Sequence, residues 1–199
     1  VDSDFFTPID VDFVKNSICF VGRMDYYLNE VCIINFCHQV LPIIQEKYPD
    51  VTFKVIGAAP PKSVLDLNEL PGVTVTGTVD DIRKHVQSCE VMVAPLVIAR
   101  GTQNKILEGM AMGLPVISSH LAARGVDAVV GEHILAATTP KEYADEIVGI
   151  FDNPDKRVKL AKAGRERVLS HHNWPHAMAL MAKCFDQTIL AFNKKKGKA

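Results

Sequence analysis

The sequence predicts an α/β fold: a doubly wound parallel sheet with helices at its C-terminal end. Short β-branched or apolar runs alternate with longer stretches of helical period between residues 17 and 136, the pattern of parallel strands covered on both faces. Several of these runs stop at a turn residue, as Ile56 does before Gly57, Thr76 before Gly77 and Ala94 before Pro95. From Pro140 onward the strand signal disappears and helical periods follow one another.

The elements follow in order. Ser17 to Val21 is the first expected strand. Asn29 to Lys47 is a helix with Ile33, Cys37, Val40 and Ile44 on one face, and Pro42 inside it predicts a kink or break. Val51 to Ile56 is the second strand. Pro60-Pro61 opens a short helix to about Glu69, and Val73 to Thr76 is the third strand. Asp80 or Asp81 caps a helix to Ser88, and Val91 to Ala94 is the fourth strand. An irregular loop, residues 95–101, leads to a helix from Thr102 to Met112, closed by Gly113. Pro115 to Ser118 and the weaker His133 to Ala136 complete the strands. Helices follow over Pro140 to Phe151, from the Asn153-Pro154 cap to about Ser170, and from Asn173, with Trp174, Met178, Met181, Phe185 and Phe192 along one stripe. His171-His172 is expected as an exposed linker and Arg124-Gly125 as a turn.

Composition narrows the function. Hydrophobic residues make up 48% and charged residues 23% of 199, so one well-packed domain with a short appendage is expected. The net charge of -1 gives no field to hold nucleic acid. Lys194, Lys195, Lys196 and Lys198 form a solvated basic tail. The five cysteines are odd in number and lack a CxxC pair. That usage suits buried reduced thiols in a cytoplasmic protein better than a disulfide framework or zinc site. No stretch is read as a membrane span. The opening Val1-Asp2-Ser3-Asp4-Phe5-Phe6 lacks a methionine, and the chain is expected to be one half of a longer enzyme.

In a doubly wound sheet, ligands bind beyond the carboxyl ends of the strands. Arg100-Gly-Thr-Gln-Asn-Lys-Ile-Leu-Glu-Gly-Met-Ala-Met-Gly-Leu-Pro-Val116 begins at such an end. At helical spacing, Gly101, Asn104, Lys105, Glu108 and Met112 share one side, and Ile106, Leu107 and Met110 face the sheet. Gly101 and Thr102 leave the first amides of the helix accessible, Lys105 adds a positive charge, and Glu108 can accept hydrogen bonds from the vicinal hydroxyls of a ribose. The competing reading is a solvated face with an Asn104–Glu108 or Lys105–Glu108 contact. No HExxH, GxSxG, P-loop or GxGxxG pattern occurs.

The segment from Glu108 to Val116 resembles the signature of family 4 of the retaining glycosyltransferases, which have the GT-B fold. The resemblance runs through nearly the whole chain. Phe20-Val-Gly22-Arg23 resembles that family's first phosphate loop, Val55-Ile-Gly57 its second-strand glycine, and Val73-Thr-Val-Thr-Gly77-Thr-Val the strand and loop beside the nucleobase. Val91-Met-Val-Ala-Pro95 resembles the strand before the signature helix. Asn173-Trp174 resembles the start of the helix that crosses to the other domain, and Asp2-Ser-Asp-Phe-Phe6-Thr-Pro8 the segment entering this one. Gly22-Arg-Met-Asp-Tyr-Tyr27 and the residues from Arg100 to Lys105 are most similar to sugar transferases of exosortase-linked exopolysaccharide clusters.

The resemblance implies the Rossmann-like C-terminal half of GT-B: a linker at 1–14, the nucleotide-sugar-binding domain at 15–172, a crossing helix at 173–193 and a basic tail at 194–199. It implies Arg23 at the leaving diphosphate, Glu108 on the ribose, the amides of Gly101, Thr102, Gln103 and Asn104 near the distal phosphate and sugar, and Gly22, Gly57, Thr78 and Val79 bordering the donor. Arg23, Lys105 and Glu108 would be the catalytic set, with no metal and no cofactor beyond the nucleotide-sugar donor. A glycan or lipid-linked acceptor and an N-terminal domain would be its partners, with peripheral membrane association of the full protein. Arg23 could instead pair with Asp25 on the surface, Gly57 could be a turn residue, and Thr78 and Val79 plain loop.

Two departures stand out. The first glutamate of the family's usual pair falls on Arg100. The usual lysine after the loop arginine is absent, its stretch being Tyr27, Leu28 and Asn29, so Arg100 or Lys105 is expected to supply that charge. A diverged non-catalytic nucleotide-binding module is the second reading. A dinucleotide oxidoreductase or receiver domain is the third, opposed by the missing glycine fingerprint and the missing acidic pair after the first strand.

Overall fold

The computed structural model describes residues 1–99 and 101–196, with side chains through residue 193. Arg100 and Lys198 lie outside the described residues. Six strands form one parallel sheet: β1 (Val14–Val21), β2 (Thr52–Ile56), β3 (Val73–Val75), β4 (Cys89–Ala94), β5 (Val116–Ser119) and β6 (Leu135–Ala137), in the order β3-β2-β1-β4-β5-β6. The predicted doubly wound α/β fold is therefore the observed one. All six residues of β4 are buried, which explains a run with no alternation of polar residues apart from Glu90. The chain builds outward from β1 to β3, then returns to lay β4 on the free side of β1. The order reverses between β1 and β4, paired at Ile18–Val91 and Cys19–Met92, and their carboxyl ends open the crevice expected of such a switch point.

Helices cover both faces. After β1 come α1 (Tyr27–Asn35), a π-helical turn (Phe36–Val40) and α2 (Leu41–Gln45). The break expected at Pro42 takes the form of this turn: the Leu41 amide donates to the Phe36 carbonyl, five residues back. Proline has no N–H and its ring crowds the carbonyl four residues earlier, so the turn before it widens. The span Tyr27–Gln45 is apolar and long enough to cross a membrane by length and composition, with a mean hydropathy of 1.2; the sequence reading missed this. Here Ile33, Phe36, Cys37, Val40 and Ile44 are buried in the core, and α7 (Pro140–Phe151) packs against α2.

The Pro60-Pro61 signal opens α3 (Lys62–Leu65), which passes into a 3-10 turn at Asp66–Glu69. Asp81 caps α4 (Ile82–Gln87), accepting from the Arg83 amide at 3.0 Å and pairing with the Arg83 guanidinium at 2.9 Å. Asp81→Ala is expected to lower unfolding free energy by about 1 kcal/mol, read as a lower urea midpoint at unchanged slope; an unmoved midpoint would show the cap to be dispensable.

α5 (Asn104–Ala111) starts two residues later than expected, with Gln103 as N-cap. It ends as the sequence predicts: the Gly113 amide donates to the Met110 carbonyl and the Leu114 amide to the Gly109 carbonyl, the paired bonds of a Schellman closure. Met112, assigned to the polar side, is buried, because this closure turns the chain back into the core.

A short α6 (His120–Ala123), capped by Ser119, forms where the sequence assigned no element, and the 3-10 turn at Arg124–Val126 falls on the expected Arg124-Gly125 turn. The capping box of Thr139 and Glu142 starts α7, and α8 (Pro154–His171) starts at the predicted Asn153 cap and packs on α5. His171 and His172 are half-buried at the junction with α9 (Trp174–Lys196), not an exposed linker. The stripe Trp174, Met178, Met181, Phe185 and Phe192 on α9 is exposed. Residues 1–14 lie on the domain: the Ile9 amide donates to Gln87 Oε1 at 2.8 Å, Gln87 Nε2 to the Thr7 carbonyl at 3.0 Å, and the Arg83 guanidinium stacks 4.2 Å from the Phe5 ring.

Candidate functional site

A hollow of about 470 Å³ opens at the switch point, lined by Tyr26, Leu28 and Asn29 after β1, Leu96 and Ile98 after β4, and Gln103 and Lys105 at the start of α5. Its walls are thus the two loops that the strand order drives apart.

Lys105 is the charged group of this hollow. Its Nζ donates to Asn29 Oδ1 at 2.7 Å and sits 4.3 Å from the centre of the buried Phe20 ring, a cation–π position. Asn29 Nδ2 in turn donates to the Arg23 carbonyl at 2.7 Å. Gly22 leaves room for both: a Cβ there would stand 2.7 Å from Asn29 Nδ2 and 3.0 Å from Lys105 Nζ. Burial pulls the Lys105 ammonium down from 10.5 to about 8, opposed by Cys32 and Glu108.

Glu108, one turn further along α5, is half-buried. Burial raises its pKa, and the Lys105 ammonium and then the Val1 amino group oppose the shift. Among the described residues its carboxylate makes no hydrogen bond or salt bridge; it stands outside the lining of the hollow, with Lys105 and the amino group of Val1 as its charged neighbours. Arg23 takes the surface arrangement: Nε and Nη2 donate to Asp25 at 3.1 and 2.6 Å, with 69% of its side chain exposed. The Asp25 carboxylate raises the Arg23 pKa, chiefly through these hydrogen bonds.

The other predicted residues divide. Gly57 meets the Gly22 backbone, so its place is set by close approach of the β1 and β2 ends. Gly101, Thr102 and Asn104 are exposed at the entry to α5; the side chain of its N-cap, Gln103, donates to the Gly101 carbonyl at 3.4 Å, and that carbonyl abuts Gly125. The turn at Arg124-Gly125 therefore supports the α5 loop, with Arg124 itself exposed. Thr78 is exposed, while Val79 packs against the core; no hydrogen bond or ion pair among the described residues ties either to Lys105. Arg100 lies outside the described residues. Sequence reasoning missed Tyr26, Leu96 and Ile98 as lining residues and gave Asn29 no role. No three His, Cys, Asp or Glu side chains among the described residues gather in a way that could hold a metal.

The profile of the family described as Glycosyl transferases group 1 matches residues 15–153, and the chain belongs to that family. It is 25% identical over 185 residues to a phosphatidyl-myo-inositol mannosyltransferase of Mycobacterium leprae, a match covering 89% of this chain and 48% of the mannosyltransferase; the chain spans about half the length of that relative. Its fold matches the C-terminal domain of a glycosyl transferase group 1 family protein (LpcC) from Francisella tularensis, with a TM-score of 0.70 and 20% identity over 87% of this chain and 99% of that one. It also matches Anabaena Alr3699/HepE, crystallised with UDP and glucose, with a TM-score of 0.67 and 15% identity over 86% of this chain and 48% of the other.

Proposed function

We propose that this chain is the donor-binding half of a retaining glycosyltransferase, holding a nucleotide-diphosphate sugar in the switch-point hollow. One observation carries the reading: the Lys105 ammonium is fixed at the mouth of β1, one turn of α5 from the half-buried Glu108 carboxylate, which makes no hydrogen bond or salt bridge among the described residues. A diphosphate suits the ammonium at the start of α5, and the vicinal hydroxyls of a ribose suit Glu108. Arg23 swings from Asp25 onto the leaving diphosphate, where negative charge develops in the transition state. Side chains and amides neutralise that charge, so no metal or further cofactor is required. The acceptor, a polysaccharide or lipid-linked glycan, is met by an N-terminal domain entered through residues 1–14, with α9 crossing back to it. Work in exopolysaccharide synthesis on the cytoplasmic side of a membrane fits this assignment. The chain alone binds donor without transferring its sugar.

The test is a thermal-shift panel of UDP, GDP, ADP and NAD. A rise in melting temperature with one nucleoside diphosphate is expected, and no rise with any of them would overturn the reading. Binding without transfer when the full-length protein is given donor and acceptor would mark a diverged module.

The affinity carries a pH signature. A bound diphosphate favours the charged Lys105, so binding takes up a proton once Lys105 begins to deprotonate. Calorimetry is expected to show affinity falling as pH rises through about 8. The free chain behaves oppositely: between about 8 and 10.5 the unfolded lysine holds more protons than the folded one, so stability rises with pH across that window.

A further inference from the structure

We propose that Asn29 is a positioning residue that fixes the Lys105 ammonium at the carboxyl end of β1. Asn29 is 6% exposed and sits in the first turn of α1, 76 residues from its partner. Its orientation has one solution. A lysine ammonium only donates and a backbone carbonyl only accepts, so Oδ1 faces Lys105 and Nδ2 faces the Arg23 carbonyl, each at 2.7 Å. The side chain therefore joins the two walls of the hollow: the loop after β1, which carries Arg23, and the first turn of α5. Gly22 completes the arrangement, since a Cβ there would strike both Asn29 and Lys105.

Without Asn29, the ammonium would lie over Phe20 with no hydrogen-bond acceptor, and a four-carbon stem would be free to leave for solvent. Lysine carries its charge on a flexible arm, and a buried acceptor removes that freedom before any ligand arrives. The groups facing the ammonium are the Phe20 ring from β1, Asn29 and Cys32 from α1, and Glu108 from α5. Asn29 is the neutral one among them whose oxygen it contacts, so it fixes position without cancelling the charge that an anion would need. The value of this fixing for catalysis rests on the nucleotide reading above; the geometry itself does not.

The test uses the whole chain and two readouts. The first is the NMR titration of the Lys105 Cε and Hε signals, assigned by their loss in Lys105→Met. The midpoint is expected to move down from about 8 in Asn29→Leu, which removes the acceptor, and up in Asn29→Asp, which adds a charge. A substitution that only loosened packing would not move it in opposite directions. The second is the affinity for UDP, GDP and ADP at pH 7, expected to weaken about tenfold in Asn29→Leu for whichever binds wild type. Asn29→Ser, too short to reach Lys105, repeats the downward shift if the leucine variant fails to fold. Unchanged Lys105 midpoints in the folded variants overturn the proposal. Shifted midpoints in a chain that binds none of the three nucleotides uphold the positioning and overturn the nucleotide reading.

Discussion

Gly57→Ala is expected to lower the melting temperature by about 10 °C, corresponding to roughly 3–5 kcal/mol for a chain of this size. A Cβ at Gly57 would lie 1.9 Å from the Gly22 carbonyl oxygen and 2.9 Å from its carbon, and Gly57 has φ +146°. Both obstacles are backbone, so no side chain can swing aside, and the φ value is itself strained for any residue with a Cβ. Relief requires parting the ends of β1 and β2, joined there by the Gly22 amide donating to the Ile56 carbonyl at 3.1 Å. Gly77→Ala is the control: it has φ +69° but nothing within 4 Å of the added carbon, so only about 1 kcal/mol of backbone strain is expected. Equal melting losses in the two variants would show that the contact with Gly22 is not what constrains Gly57.

Lys105→Met is expected to weaken nucleoside diphosphate binding about thirtyfold at pH 7, measured by calorimetry, with the melting temperature held within about 2 °C. Charge-assisted hydrogen bonds to an anion account for a loss of this size. Stability is spared because methionine fills the same space over Phe20 and removes a charge that burial disfavours, which offsets the lost bond to Asn29. The pH dependence above pH 7 is expected to flatten as well. Undiminished binding in this variant would remove Lys105 from the donor site.

The strands and α5 were legible because their residues carry local signals. The buried runs at Ile18 to Val21, Phe53 to Ile56 and Val91 to Ala94 have no rival as helices at those lengths, and Gly113 marks a helix end by its own chemistry. Asn29 was not legible. A single asparagine in the first turn of a helix looks like any polar surface residue, and its partners are a lysine on another element and a carbonyl six residues back. Tyr26, Leu96 and Ile98 read as loop because only the return of β4 beside β1 brings them to one hollow. α6 did carry a signal, the Ser119 side chain accepting from the Ala122 amide, but four residues are too few to show a helical period. The Arg23–Asp25 pair was legible as an alternative because the two residues are separated by one position, and it is the arrangement the structure adopts.

The walls of the hollow are fastened to adjacent strands whose spacing is fixed by main-chain hydrogen bonds rather than by the side chains that line it. Substitutions at Tyr26, Leu28, Leu96 or Ile98 can therefore reshape the hollow without touching the scaffold that keeps its walls apart.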